Sequence, residues 1–234
     1  MITATYNAMG CLPRLFESLR LQTDQSFEWV VADGASTDGT LEYLLSITCL
    51  DLKVIQGPDF GIYDALNKAI KQSKGEYYIV IGADDSFSPD AVEKFKSYID
   101  SEVDMVAACI RTAGRLVRPG RGASWLYGQY EYVAGHAVGT LFRKSLHNKF
   151  GFYSRKFPIA ADQLFIKTVC QGGANVCRAD FEAGTFGDAG LSALDIAGTL
   201  CEFFRVQLLT ERHYLPQVII FIIRLIRHSL KLGK

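Results

Sequence analysis

The chain has no excess charge of either sign, since 25 Lys and Arg balance 25 Asp and Glu. Without a basic excess there is no global electrostatic case for nucleic acid as a partner. Paired cysteines are also missing. Cys11, Cys49, Cys109, Cys170, Cys177 and Cys201 form no C-x-x-C motif, and His136, His147, His213 and His228 show no ligand spacing with them. That argues against a zinc site and predicts buried free thiols in a reducing compartment. No apolar run approaches the ~20 residues that span a bilayer. Met1-Ile2-Thr3-Ala4-Thr5 lacks the basic region and long apolar run of a signal peptide. No G-x-G-x-x-G follows the first apolar segment and no G-x-x-x-x-G-K-[ST] occurs, which disfavours a dinucleotide Rossmann site and a P-loop. Internal repeats and low-complexity tracts are absent too. Apolar residues are not scarce: at 49%, against 21% charged, the composition predicts a packed globule. The 234 residues suffice for one large α/β domain, or a domain with an appendage.

Hydrophobic periodicity divides the chain into two unlike halves. Strands are predicted at Met1 to Thr5, Phe27 to Ala32, Leu52 to Gln56, Tyr77 to Ile81 and Asp104 to Ile110. Between them lie helical patterns. One follows Pro13, with Leu12, Leu15, Phe16 and Leu19 on one face. A second begins near Asp38, an N-cap type. A third covers Ile62 to Gln72, with Ile62, Leu66, Ala69 and Ile70 inward. A fourth runs from Ser88-Pro89 to about Tyr98. This alternation predicts a mostly parallel, Rossmann-like sheet with right-handed crossovers and helices on both faces. The second half reads differently. Arg111 to Gly122 is a basic loop or hairpin, Val138 to Arg143 a strand, Ala160 to Gln171 a helix, and Phe181 to Leu191 irregular. Helical patterns continue from Leu194, broken at Pro216.

The predicted strands end in acids. Asp33 and Asp38 follow the second, Asp59 the third, and Gly82-Ala83-Asp84-Asp85 the fourth. Ligands of open α/β sheets bind beyond the carboxyl ends of the strands. Carboxylates there can accept from a base N–H or ribose hydroxyls and can hold a hard cation on a diphosphate. A solvated turn, with Asp85 or Ser88 capping the next helix, is the plainer alternative.

Four stretches in order carry a resemblance. They are Thr3-Ala4-Thr5-Tyr6-Asn7, then Val31 to Thr40, then Asp59 to Ala69, then Gly82 to Asp85. With them the chain resembles the family 2 glycosyltransferases of the GT-A fold, closely over about the first hundred residues. The likeness is looser through His136 and Ala161-Asp162-Gln163 to Gly190-Leu191-Ser192. The nearest subgroup is the bacterial enzymes of O-antigen, capsule or exopolysaccharide synthesis.

The resemblance implies roles. Thr5, Tyr6 and Asn7 would lie against the nucleoside, and Asp33 would accept from uracil N3–H. Asp59, Tyr63, Asp64, Asn67 and Lys68 would line the donor side. Asp84 would approach the ribose or donor sugar, and Asp85 would ligate Mn²⁺ or Mg²⁺, with Ala83 departing from the strict D-x-D pattern. Asp162 would be the catalytic base of an inverting displacement, its plainer alternative being an N-cap. His136 and Arg118 are candidates for the acceptor or the diphosphate. Arg121 could join Arg118 as a phosphate clamp, while solvated basic residues or an ordinary loop histidine would also explain these positions. Trp125, Tyr127, Tyr130 and Tyr132 form either a sugar-stacking wall or core beneath a lid.

The expected organisation is a catalytic domain over 1–192, with a nucleotide-sugar half (1–110) and an acceptor half (111–192), followed by a helical extension over 193–234. After Glu211 no acid remains, and Arg212, Arg224, Arg227, Lys231 and Lys234 follow. Ile219, Ile222, Ile223, Ile226 and Leu230 share one helical face, and Arg224, Arg227, His228 and Lys231 another. Such a helix suits an anionic membrane surface, or else packs on the domain or a second subunit as a homodimer. The expected enzyme moves a sugar from a UDP-sugar to a lipid-linked acceptor at the inner face of the cell membrane. A sugar nucleotidyltransferase and a silent nucleotide-sugar binding protein are the alternatives.

Overall fold

The computed structural model describes residues 1–120, 122–187 and 195–232, with side chains up to 228. Arg121, Gly190, Leu191 and Ser192 lie outside the described residues, as do the side chains of Leu230 and Lys231. Strands β1 (Ile2–Thr5), β2 (Trp29–Asp33) and β3 (Leu52–Gln56) pair in parallel, with β1 next to β2 and β2 next to β3. β4 (Tyr77–Ile79) joins β1 through a parallel bridge between Ile2 and Val80, and Ile81 N–H donates to Ile2 O at 3.0 Å. These four strands are the parallel half that the alternating pattern predicts.

Beyond β4 the sheet becomes mixed. After β5 (Ser86–Phe87) come β6 (Met105–Thr112), β7 (Arg115–Val117), β8 (Thr140–Arg143) and β9 (Val176–Thr185). β8 lies between β4 and β6, antiparallel to both, and β9 runs parallel to β6. β5 pairs antiparallel with the end of β9. The basic stretch after Thr112 is the β6–β7 hairpin, turning through Ala113 and Gly114, both at positive φ.

The sheet separates two cores because successive strand residues face opposite sides. Trp29, Val31, Ile79 and Ile81 face α1 (Leu12–Arg20), α2 (Thr40–Ser46) and α4 (Ala91–Ser97). Val30, Ala32, Tyr78 and Val80 face α3 (Ile62–Gln72) and α7 (Ala161–Gln171). Short helices α5 (Ser124–Tyr127) and α6 (Leu146–Phe150) lie between, followed at the end by α8 (Ile196–Thr210) and α9 (Tyr214–Leu232).

Four expectations are corrected. Ile62 does not face the core: it is 47% exposed, while Tyr63, Asp64, Ala65 and Asn67 are buried, because α3 is covered on a second side by the loop around Tyr153. Phe181 to Thr185, expected to be irregular, is the end of β9. Ala179, Phe181 and Ala183 alternate inward on β9, and Gly184 admits the crossing β5, since a Cβ there would meet Ser86 O. The helical break falls at Glu211-Arg212-His213, and Pro216 sits inside the first turn of α9, where a proline costs no hydrogen bond. Cys49 and Cys201 are exposed, although all six thiols are free as expected.

α8 packs across α7 and extends the second core through Val206. Its Glu202 Oε2 accepts from Ile159 N–H and Ala160 N–H, both at 2.9 Å, at the start of α7. Lys167 of α7 is fully buried and donates to Gln207 and, at 2.6 Å, to Glu211. Burial pushes the Lys167 pKa down, and Glu211 opposes that shift.

Candidate active site

The carboxyl ends of β1, β2 and β3 are laced into one surface. Thr5 Oγ1 donates to Asp33 Oδ1 at 3.0 Å, and Ser36 donates to the same carboxylate through N–H (2.9 Å) and Oγ (2.6 Å). Asn7, at φ 50°, donates its N–H to Ser36 Oγ and accepts from Thr37 N–H. Met9 N–H reaches Asp38, and Ala8 N–H reaches Thr40 Oγ1. Asp59 leans over Gly34: a Cβ on that glycine would stand 2.6 Å from Asp59 Oδ2. Tyr6 is 69% exposed above this surface. Beside it opens a cavity of about 400 Å³ lined by Asp33, Gln56, Pro58, Asp59 and Lys68, among others. Lys68 donates to Pro58 O at 2.8 Å and stands 3.1 Å from Asp64.

Two residues of the α3 motif act inward. Asp64 is buried and accepts from Lys68, Phe60 N–H and Arg155. Burial pushes its carboxyl up, but these donors outweigh burial and hold it below the usual range. Asn67 exchanges two hydrogen bonds with the Tyr153 backbone, at 2.8 and 3.1 Å. Both residues peg the Tyr153 loop to α3, and neither side chain is open for a ligand.

The adjacent acids after β4 divide by environment. Asp85 is 1% exposed, and its two oxygens accept from Gly82 N–H (2.6 Å) and Gly187 N–H (2.7 Å). Burial pushes its pKa up to about 6 despite these donors. It does not cap α4. Asp84 is half-buried, its carboxylate lying where Cβ atoms of Gly82 and Gly187 would intrude, and Arg14 of α1 donates to its carbonyl. Among the described residues no group of three or more His, Cys, Asp or Glu could by itself hold a metal. The donor set still fits a hard cation, because Mg²⁺ and Mn²⁺ take one or two carboxylates and complete their shell with phosphate oxygens and water.

Asp162 lies in the first turn of α7, past the N-cap position, which Ala160 occupies without a side-chain bond. Tyr63 OH donates to Asp162 Oδ1 at 2.7 Å and also lies 2.8 Å from Ile159 O. Burial, and then the nearby Asp162, push the Tyr63 pKa well up, so the phenol stays a donor. His136 is buried, with Nδ1 4.0 Å from Asp162 Oδ2 and Nε2 2.7 Å from Tyr153 OH. The structure therefore brings Tyr63, His136 and Asp162 together. Arg118 is instead paired with Asp180 of β9 at an exposed position.

Tyr153, Glu202 and Arg14 escaped the sequence reading. Only its spacing hinted at an inward Glu202, which stands four residues before the buried Val206 on one face of α8. Trp125 and Tyr127 are 47% and 44% exposed. Trp125 lines a cavity of about 610 Å³ with Gln171, Glu211, Arg212 and Gln217, at the far end of α7 from Asp162. On α9, Gln217, Phe221 and Arg224 form the docked side: Gln217 donates to Trp125 O, Phe221 stacks on Phe204, and Arg224 donates to Leu126 O. Arg224 thus leaves the solvated basic face expected for it. Ile219, Ile222, Ile223 and Ile226 are exposed. No described helix is long and apolar enough to cross a membrane.

Residues 1–170 match the family described as "Glycosyl transferase family 2". A PGL/p-HBAD biosynthesis glycosyltransferase of Mycobacterium bovis is 33% identical over 104 residues, 42% of this chain and 40% of that protein. The chain thus spans about 40% of the length of the first curated relatives it matches. Among solved structures, S. aureus TarS 1-349 with UDP-GlcNAc superposes at a TM-score of 0.72, with 23% identity over 97% of this chain and 71% of that one. The mannosyltransferase PcManGT of Pyrobaculum calidifontis, solved with GDP-Man and Mn²⁺, gives 0.69, with 20% identity over 94% of this chain and 66% of that one. At these identities the two structures establish a shared GT-A fold.

Proposed function

Since the chain belongs to glycosyl transferase family 2, we propose that it transfers a sugar from a nucleotide-sugar donor, UDP-linked, to a hydroxyl of a lipid-linked saccharide. The observation that carries this reading is that Asp33, Asp59 and Asp84 all lie at or beyond the carboxyl ends of parallel strands of one sheet, with Asp162 held by Tyr63 at the start of α3.

Tyr6 supplies an aromatic face for the base, and the Asp33–Asp59 cavity accepts its polar edge and the ribose. Asp84 takes the metal role first expected of Asp85, because the oxygens of Asp85 are committed to buried N–H groups. When bound, Mn²⁺ or Mg²⁺ supplies positive charge for the leaving diphosphate. Tyr63 occupies Oδ1 of Asp162 and so presents Oδ2 to the acceptor hydroxyl. Asp162 removes the hydroxyl proton as the oxygen bonds to the anomeric carbon and the bond to the diphosphate breaks. One displacement inverts the anomeric centre. The exposed isoleucine face of α9, with Arg227 and His228 near it, supports work at an anionic membrane where a lipid-linked acceptor resides.

The test is UDP release from a panel of UDP-sugars with detergent-solubilised lipid-diphosphate sugars as acceptors, with and without Mn²⁺. Metal-dependent release with one donor, lost in Asp162→Asn while UDP still binds, is expected. A folded protein that binds UDP-sugars but turns none over would identify a binding protein instead.

A further inference from the structure

Behind Asp162 lies a buried chain of hydrogen bonds whose direction is set at its far end. His147 Nδ1 is 2.9 Å from Gly151 O, and a carbonyl only accepts, so Nδ1 carries the hydrogen. Burial lowers the His147 pKa, the imidazole is neutral, and Nε2 must accept. Tyr78 OH, 2.7 Å away, therefore donates to it. Tyr78 then has a lone pair but no hydrogen for its other neighbour, so Tyr153 OH donates to Tyr78 at 2.9 Å. Tyr153 in turn can only accept at its second contact, and His136 Nε2–H donates to it at 2.7 Å. Both phenols are fully inside, and burial raises their pKa values, so neither loses its hydrogen at neutral pH.

The tautomer of neutral His136 follows. Nε2 holds the hydrogen, and Nδ1 presents a lone pair to Asp162 Oδ2 across 4.0 Å. Oδ1 of the same carboxylate is already served by Tyr63. Two acceptors face each other with no hydrogen between them, in a gap that one proton-bearing group can bridge. Phe142 of β8 and Tyr153 flank the ring, Asp162 is the one charged group facing it from α7, and Tyr63 stands beyond Asp162 on α3.

We propose that His136 Nδ1 receives the proton that Asp162 takes from the acceptor hydroxyl. This rests on the reading of Asp162 as the base. The acceptor O–H proton passes to Oδ2 while the new O–C bond forms and the bond from carbon to diphosphate breaks. The proton then passes from Oδ2 to Nδ1 through a water in the gap between them, which takes one proton from Oδ2 and gives one to Nδ1; this restores the carboxylate and makes an imidazolium beside it. Water admitted on product release takes the proton. His136 is thus a positioning residue that resets the base and acts through Asp162. Burial holds its pKa below the ordinary histidine value, and the Asp162 charge pulls it back up, which suits a transient proton carrier.

Two measurements test this. Nitrogen-15 NMR of histidine-labelled wild-type protein reads the tautomer without turnover: His136 is expected as the Nε2–H form, with its pKa falling in Asp162→Asn. An Nδ1–H form, or a pKa unmoved by Asp162→Asn, overturns the proposal. His136→Gln can still donate to Tyr153 but cannot carry a proton. With the donor and acceptor that support UDP release, kcat should fall ~10- to 100-fold with donor KM unchanged. The acid limb of kcat/KM should move to lower pH, because an imidazolium at His136 no longer blocks Asp162. A limb that stays in place while Asp162→Asn is inactive overturns the role of His136 alone. An active Asp162→Asn overturns the function proposed above together with it.

Discussion

The sharpest consequence of the fold concerns Glu202, which lies on α8 yet closes the start of α7. One carboxylate oxygen accepts from both Ile159 N–H and Ala160 N–H at 2.9 Å, and the side chain is buried. In Glu202→Ala both N–H groups lose their acceptor, at ~1–3 kcal/mol each, so ~2–6 kcal/mol together. For a chain of this length ~1 kcal/mol moves Tm by about 2–4 °C, so the melt should drop by roughly 4–24 °C. Glu202→Gln keeps an oxygen at the same place and loses only the charge at a helix N-terminus, about 0.3–1 kcal/mol. Asp162 stands two residues beyond Ala160, so the same loss should reach catalysis. In Glu202→Ala, kcat/KM for UDP release should fall more than ~10-fold, while Glu202→Gln stays within a few fold. Thermal and urea melts of the two variants, run beside turnover, give the comparison. If they melt within about 2 °C of each other, the capping account is refuted.

Other outcomes are expected elsewhere. Gly34→Ala should displace Asp59 and weaken UDP binding by titration calorimetry by ~10-fold or more, with a melt within a few degrees of wild type; unchanged affinity would remove Asp59 from the nucleotide site. Asp84→Asn should raise the Mn²⁺ concentration for half-maximal UDP release at least ~10-fold with a melt near that of wild type, whereas Asp85→Asn should cost ~1–3 kcal/mol in urea unfolding because one backbone N–H then faces an amide NH₂. The reverse pattern would return the metal to Asp85. His136 and His147 are both lowered by burial, so the folded state stays neutral while the unfolded chain takes up protons below ~6.5. Their contribution is complete above that pH and is lost as pH falls through the depressed folded values. Asp85, raised to about 6, works in the opposite sense, its cost easing as pH falls through 6. In metal-free buffer the urea midpoint of Asp85→Asn should therefore fall more steeply between pH 7.5 and 5.5 than that of wild type; parallel profiles would contradict the assignment.

The parallel half was legible because its strands and helices obey simple periods. β3 and α3 begin and end where the pattern puts them, and the strand-end acids follow from the same reading. Ile62 was misplaced because hydrophobic spacing cannot show that α3 is buried on two sides, with Asp64 and Asn67 serving polar partners ninety residues away in the chain. The alternation from Cys177 to Ala183 was present in the sequence, but Arg178, Asp180 and Glu182 on the outer face and the glycine at 184 masked it. Asp162 could be nominated from motif order. Tyr63 and His136 were nominated too, for the donor side and for the acceptor or diphosphate, but their approach to Asp162, and Tyr153 and Glu202 behind them, arise only through tertiary packing.

The short helix α5 is held in an unusual way. Gln207, Gln217 and Arg224 all donate to main-chain carbonyls of Ser124, Trp125 and Leu126, and none of them relies on an α5 side chain. Every residue type offers the same carbonyl, so, apart from Ser124, whose Oγ also donates to Glu211 at 3.0 Å, the grip is blind to the identity of the residues it holds. The exposed rings of Trp125 and Tyr127 can then be exchanged by mutation without loosening the segment that carries them. Related chains can diversify this surface one side chain at a time while the scaffold beneath it stays put.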